Sequence, residues 1–88
     1  MEWIDGGHVK GDGFTVRSGF NFAVYREGQS VVTLDVKRGF RGRLHLVVLP
    51  ADAFRRFDGA EIDNSPAEQA RMRSNFVAAM EFAGHEVE

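Results

Sequence analysis

Apolar residues recur at helical spacing in the last third of the chain. They form one stripe along a helix: Met72, Phe76, Ala79, Met80 and Ala83. The Ser65 hydroxyl is suited to cap the first turn by accepting a hydrogen bond from the amide of Glu68. The Glu68 carboxylate is suited to accept one from the amide of Ser65 in return. Gly84 is suited to close the last turn. The pattern predicts one helix that begins at Pro66 and is roughly 25 Å long, enough to cross several strands.

The preceding segments alternate between apolar and polar residues, which is typical of strands. Residues 20–26 and 30–37 both alternate, and Glu27-Gly28-Gln29 provides a turn between them. Turn residues and apolar runs bound the other predicted strands, which are residues 1–4, 8–10, 14–17, 44–49 and 85–88. Residues 39–42 are interpreted as a connection. Residues 51–57 are interpreted as either one helical turn capped by Asp52 or an irregular edge strand.

This order of elements predicts an α+β fold, because the strands come first and one long helix follows. We expect a mainly antiparallel sheet of about five to six short strands, covered on one face by the single C-terminal helix. The 88 residues suit a single domain that spans 1–88.

The composition limits the cellular compartment we expect for the protein and the catalytic or metal-binding chemistry open to it. The chain has no cysteine, which excludes a disulfide framework, thiolate catalysis and cysteine-type zinc sites. Its first residues lack the basic and apolar stretches of a signal peptide, and no apolar segment is long enough to cross a bilayer. We therefore expect a cytoplasmic protein that has no membrane contact.

Patterns for catalysis or metal binding are weak. The histidines His8, His45 and His85 have no local ligand spacing. No serine lies in a strand–elbow–helix context, and no helix follows the N-terminal glycines to complete a phosphate site. We expect no catalytic residue, no metal and no cofactor, and thus no enzyme.

One stretch of the chain is basic, although the net charge is −2. Residues 37–43 combine cations, an aromatic ring and flexible glycines, which suits contact with a nucleic acid backbone and bases. The candidate nucleic-acid-binding residues are Lys37, Arg38, Phe40, Arg41 and Arg43. A solvated connection between strands explains the same residues, and the single aromatic and the acidic chain favour that interpretation.

A second stretch is acidic. Residues 58–68 contain no Lys or Arg and carry four carboxylates, those of Asp58, Glu61, Asp63 and Glu68. Acids near the start of a helix interact favourably with its dipole, which explains Asp63 and Glu68 without a partner. The alternative is a protein-binding face whose carboxylates match a basic partner surface.

Short motifs along the chain also carry a family resemblance. The main ones are Phe57-Asp58-Gly59, Ile62, the box from Ser65 to Glu68, Arg71-Met72, Asn75-Phe76, Ala79-Met80, Phe82, Gly84 and Val87. Looser ones are Ile4, Gly7, Val9, Gly11-Asp12-Gly13 and Tyr25-Arg26-Glu27-Gly28. Together they resemble small α+β immunity proteins of bacterial polymorphic-toxin and contact-dependent growth inhibition systems.

The resemblance implies a protein without catalysis, which binds the C-terminal domain of a cognate toxin, often a nuclease, and blocks it inside the producing cell. Because a nuclease needs a basic cleft for phosphates, the partner-binding candidates are the carboxylates of Asp58, Glu61, Asp63 and Glu68. The alternative function is a small nucleic-acid-binding module that uses residues 37–43.

Overall fold

A computed structural model describes residues 1–5, 7–28, 30–50, 53–55 and 65–87. Within these ranges the elements follow one another in a simple order. They are β1 Glu2–Asp5, β2 His8–Gly11, β3 Phe14–Ser18, β4 Phe22–Glu27, β5 Ser30–Asp35, β6 Lys37–Arg41, β7 Leu44–Val48, a 3₁₀ turn at Ala53–Arg55, α1 Pro66–Phe82 and β8 His85–Val87.

The strands form two sheets. β1 to β5 pair in chain order as one antiparallel sheet of five strands, and β6, β7 and β8 form a small second sheet. The predicted α+β class, with an antiparallel sheet and one C-terminal helix packed on it, is confirmed. The pattern did not predict that β8 pairs with β7 in parallel. Parallel neighbours need a long crossover, and here it contains α1.

The helix is confirmed, as is the half of its N-terminal cap in which Ser65 is the acceptor, whereas the Glu68 carboxylate binds Arg71. The Ser65 hydroxyl oxygen accepts a hydrogen bond from the Glu68 amide at 3.2 Å, and Pro66 occupies the first turn, where it loses no hydrogen bond. Gly84 follows the helix with φ of +89°, a conformation that other residues rarely adopt. The chain reverses there and enters β8 directly.

The interpretation of residues 39–42 as a connection was wrong. Gly39 lies within β6, opposite Leu46, and the chain turns only at Gly42 and Arg43. Two glycines flanking Phe40 resemble a loop in sequence, yet β6 pairs with β7 along its full length.

The ambiguous segment 51–57 is partly settled. Ala53–Arg55 forms a 3₁₀ turn that buries Phe54, which agrees with the helical-turn alternative. Asp52, the predicted cap of this turn, lies outside the described residues.

The core lies between α1 and one face of the five-stranded sheet, called the inner face here. The helix buries Met72, Phe76, Ala79 and Met80 against inner-face residues that include Val9, Val16, Ala23, Tyr25, Val32 and Leu34. Ring contacts run from Phe14 to Tyr25 at 5.5 Å, from Tyr25 to Phe54 at 5.6 Å and from Phe54 to Phe76 at 6.1 Å. These contacts join the sheet, the 3₁₀ turn and the helix into one core. No helix in the described ranges has the length and apolar character needed to span a membrane.

Candidate functional site

Of the four predicted partner-binding carboxylates, Asp58, Glu61 and Asp63 lie outside the described residues. Glu68 lies in the first turn of α1, where its Oε2 accepts from Arg71 Nη2 at 2.6 Å and from Arg71 Nε at 3.0 Å. The Glu68 carboxylate is therefore engaged within the fold, and its role in partner binding stays a prediction.

Arg71 also connects the helix to the five-stranded sheet. Its Nη2 donates to Oε2 of Glu27 at 2.8 Å, and its Nη1 donates to Oε1 of the same carboxylate. The hydrogen bond to Glu27, and to a smaller extent the one to Glu68, raises the pKa of Arg71. The same bond from Arg71 lowers the pKa of Glu68. This bidentate geometry holds the start of α1 beside the end of β4.

The predicted nucleic-acid residues lie on the β6–β7 hairpin. Lys37 is exposed on β6, and Arg43 is exposed in the turn that follows. Arg38 is half-buried, and its Nε donates to the carbonyl oxygen of Gly19 at 2.9 Å, which links the two sheets. Phe40 projects into solvent with 70% of its surface exposed, whereas of Arg41 only the backbone is described.

A groove of about 400 Å³ runs between the two sheets, and we call it the intersheet groove. Its side-chain lining consists of Phe20, Arg38, Phe40, His45 and Leu46. Phe20 is 84% exposed and comes from the turn between β3 and β4, whereas the other four belong to the second sheet. The groove therefore brings together two exposed aromatic rings that are 20 residues apart in the sequence.

Three rings follow one another across the second sheet, and two of them, Phe40 and His45, line the groove. Phe40 and His45 face each other across the β6–β7 pair with ring centroids 4.9 Å apart. His45 lies beside His85 on β8, with centroids 5.5 Å apart. Burial lowers the pKa of His85, and the nearby charges of Arg38 and His45 act in the same direction. This environment favours the neutral form of the His85 ring.

A second concave surface lies on the outer face of the five-stranded sheet, opposite α1. We call it the cationic basin, with a volume of about 460 Å³. It is lined by His8, Thr15, Arg17, Phe22, Val24 and Arg26. The lining comes from β2, β3 and β4, and it includes no carboxylate.

Neither surface was predicted as a unit. The alternation in 20–26 does indicate that Phe20, Phe22 and Val24 share one side of the chain. However, β4 buries Ala23 and Tyr25 and leaves Phe22 exposed on the other face. The outer face of β4 combines an aromatic, an aliphatic and a cationic side chain, those of Phe22, Val24 and Arg26, and this mixture was the available signal for an interaction surface.

Among the described residues no group of three or more His, Cys, Asp or Glu is placed to hold a metal ion. Comparison with known proteins gives no match: no family model, no curated protein and no solved structure is similar to the chain.

Proposed function

We propose that the chain is an immunity protein, which binds the C-terminal domain of a cognate toxin in the cytoplasm of the producing cell. The toxin is proposed to be a nuclease. Binding occludes its active or substrate-binding surface and involves no catalysis by this chain. The resemblance of the helix motifs to immunity proteins motivates the proposal.

The exposed aromatic pair in the intersheet groove is the observation that carries it. Phe20 and Phe40 are 84% and 70% exposed, although aromatic side chains gain most when they leave water. Arg38 lies beside them and is fixed by its bond to Gly19. Aromatic and arginine side chains on a rigid support are typical of the residues that dominate protein–protein binding.

The direct test is co-expression with a cognate toxin domain, which the proposal expects to be encoded beside this gene. The wild-type chain is expected to restore growth and to bind the purified toxin domain with one-to-one stoichiometry. Phe20→Ala and Phe40→Ala should each weaken binding at least about tenfold, because each removes a central aromatic contact. Failure of the wild-type chain to protect the cell and to bind the toxin contradicts the proposal.

Phe82→Ala is the matched control for these variants. Phe82 is also an exposed phenylalanine, but it lies on α1 and contacts Trp3, with ring centroids 5.8 Å apart. It does not line the intersheet groove. A similar loss of affinity in the Phe82 variant shows that the groove is not the site of binding.

The second candidate function is binding of single-stranded nucleic acid by the same groove. The specific observation in its favour is that Phe20 and His45 supplement Phe40, so the hairpin is no longer limited to one aromatic ring. Arg38 supplies a cation within the groove, and Lys37 and Arg43 add positive charge elsewhere on the same hairpin. Tight binding of a single-stranded oligonucleotide, which weakens steeply as salt rises, favours this function over the first.

A further inference from the structure

Strand register brings basic side chains together in the cationic basin and, at Lys10, beside it. Thr15 on β3 lies opposite Lys10 on β2 and Arg26 on β4. Two residues further along β3, Arg17 lies opposite His8. Because residues two apart on a strand share a face, these basic side chains surround one point on β3. No element within the described ranges covers this face of the sheet.

These charges are weakly compensated within the fold. Lys10 and Arg26 make no ion pair with another described residue. Arg17 Nη2 lies 3.9 Å from Asp5 Oδ2, and both side chains are more than half exposed, so this pair contributes little to stability. The cations are therefore available to carboxylates supplied from outside the chain.

The floor between the cations is largely apolar. Val24 and Thr15 are half-buried, and Phe22 is 41% exposed at the border of the basin. An apolar floor with arginine and aromatic side chains at its rim resembles the centre of a protein–protein interface.

Acidic residues limit the extent of the basic area. On β1, Glu2 and Asp5 lie opposite the basic residues of β2, and on β5, Asp35 lies opposite Phe22. The basic area is thus confined to β2–β4, which is about 10 Å wide at the usual strand spacing. A nucleic acid strand that crossed the sheet would meet these carboxylates, whereas a short acidic protein segment fits between them.

We propose that the cationic basin binds an acidic segment of a protein partner. Carboxylates of that segment pair with Lys10, Arg17 and Arg26, while an apolar side chain packs on Val24 and Phe22. This inference rests on the proposed function, because the partner is the cognate toxin domain.

The test compares two double substitutions in the purified chain. Arg17→Glu/Arg26→Glu removes the positive charge of the basin. Ala70→Glu/Ala78→Glu, at two exposed positions of α1, is the control for negative charge added elsewhere. Titration with the purified toxin domain should show about 10- to 100-fold weaker binding for the basin variant and less than about a twofold change for the control. The wild-type affinity should fall as salt rises, and that of the basin variant should depend less on salt.

Each remaining outcome has a defined meaning. Circular dichroism and thermal unfolding verify that Arg17→Glu/Arg26→Glu is folded. A second variant, Arg17→Gln/Arg26→Gln, adds no negative charge and should also weaken binding. Wild-type affinity in both basin variants, or an equal loss in the α1 control, overturns the role of the basin but leaves the immunity function intact. Absence of toxin binding by the wild-type chain overturns both. Loss of oligonucleotide binding, with toxin binding unchanged, assigns the basin to nucleic acid instead.

Discussion

Asn75 donates a hydrogen bond from Nδ2 to the hydroxyl oxygen of Tyr25 at 3.0 Å, across 50 residues of sequence. The tyrosine ring is fully buried in the core, and burial raises the pKa of its hydroxyl. The bond lets a large ring fill the space under α1 while its polar end remains satisfied. It also fixes the position of the helix along β4.

We predict that this bond makes the two residues energetically coupled. Asn75→Ala and Tyr25→Phe should each lower the free energy of unfolding by about 1 kcal/mol. The double variant should lose about 0.5–1 kcal/mol less than the sum, since it removes both partners. Urea unfolding measures all three variants, with Ser74→Ala on the exposed side of α1 as the control. Strictly additive losses contradict the coupling.

We predict that Gly11 tolerates no side chain. It pairs with Phe14 across β2 and β3, and a Cβ atom added to it would lie 2.2 Å from the Phe14 ring. Gly11→Ala should therefore destabilise the fold by about 1–3 kcal/mol. Gly39→Ala is the matched control, because it also lies in a strand but has no atom within 4 Å of the added Cβ. Equal midpoints of denaturation for the two variants refute this steric explanation.

Acid should weaken the fold through His85. Because its folded-state pKa is lowered below the ordinary value of 6.5, the unfolded chain binds the proton more readily. The stabilising contribution is present above pH 6.5 and is lost as pH falls below that value. Urea unfolding as a function of pH should show a smaller loss of stability on acidification in His85→Gln. His8→Gln, on the outer face of the sheet, serves as the control. An identical pH dependence of stability in the wild type and in His85→Gln excludes His85 as the cause.

The expectation that the carboxylates of residues 58–68 bind a basic cleft of the toxin gives another prediction. Glu61→Lys and Asp63→Lys should each weaken toxin binding about tenfold or more, because a repulsive pair replaces an attractive one in the basic cleft. Asp12→Lys, in the exposed turn between β2 and β3, has the same change of charge and should leave affinity nearly unchanged. Affinities equal to the wild type for both segment variants remove the acidic segment from the mechanism.

Local signals explain why α1 could be predicted. Ser65, Pro66 and Gly84 mark its ends within one turn each, and the buried stripe follows from spacing along one element. The parallel pairing of β8 with β7 depends on where α1 packs, and no short-range pattern encodes it. Gly39 misled the interpretation of β6 because a glycine in a strand resembles a glycine in a turn.

The candidate surfaces likewise combine residues that are visible in the sequence with proximities that only the fold creates. The cations of β6 and of the turn after it are visible in sequence. The proximity of Phe20 to Phe40 depends on how the two sheets pack, to which the hydrogen bond from Arg38 to Gly19 contributes. The cationic basin likewise depends on the register of β2, β3 and β4. Residues spread from position 8 to position 26 become neighbours only when the strands align.

The reversal at Gly84 has a consequence for how the molecule assembles. A β6–β7 hairpin can form as soon as its own residues are available, but its third strand arrives only after the whole helix. Docking of the helix and completion of the small sheet are therefore one cooperative event. Loosening of the helix should release β8, and the amides that pair it to β7 should exchange with solvent hydrogen at the same rate as those of the helix.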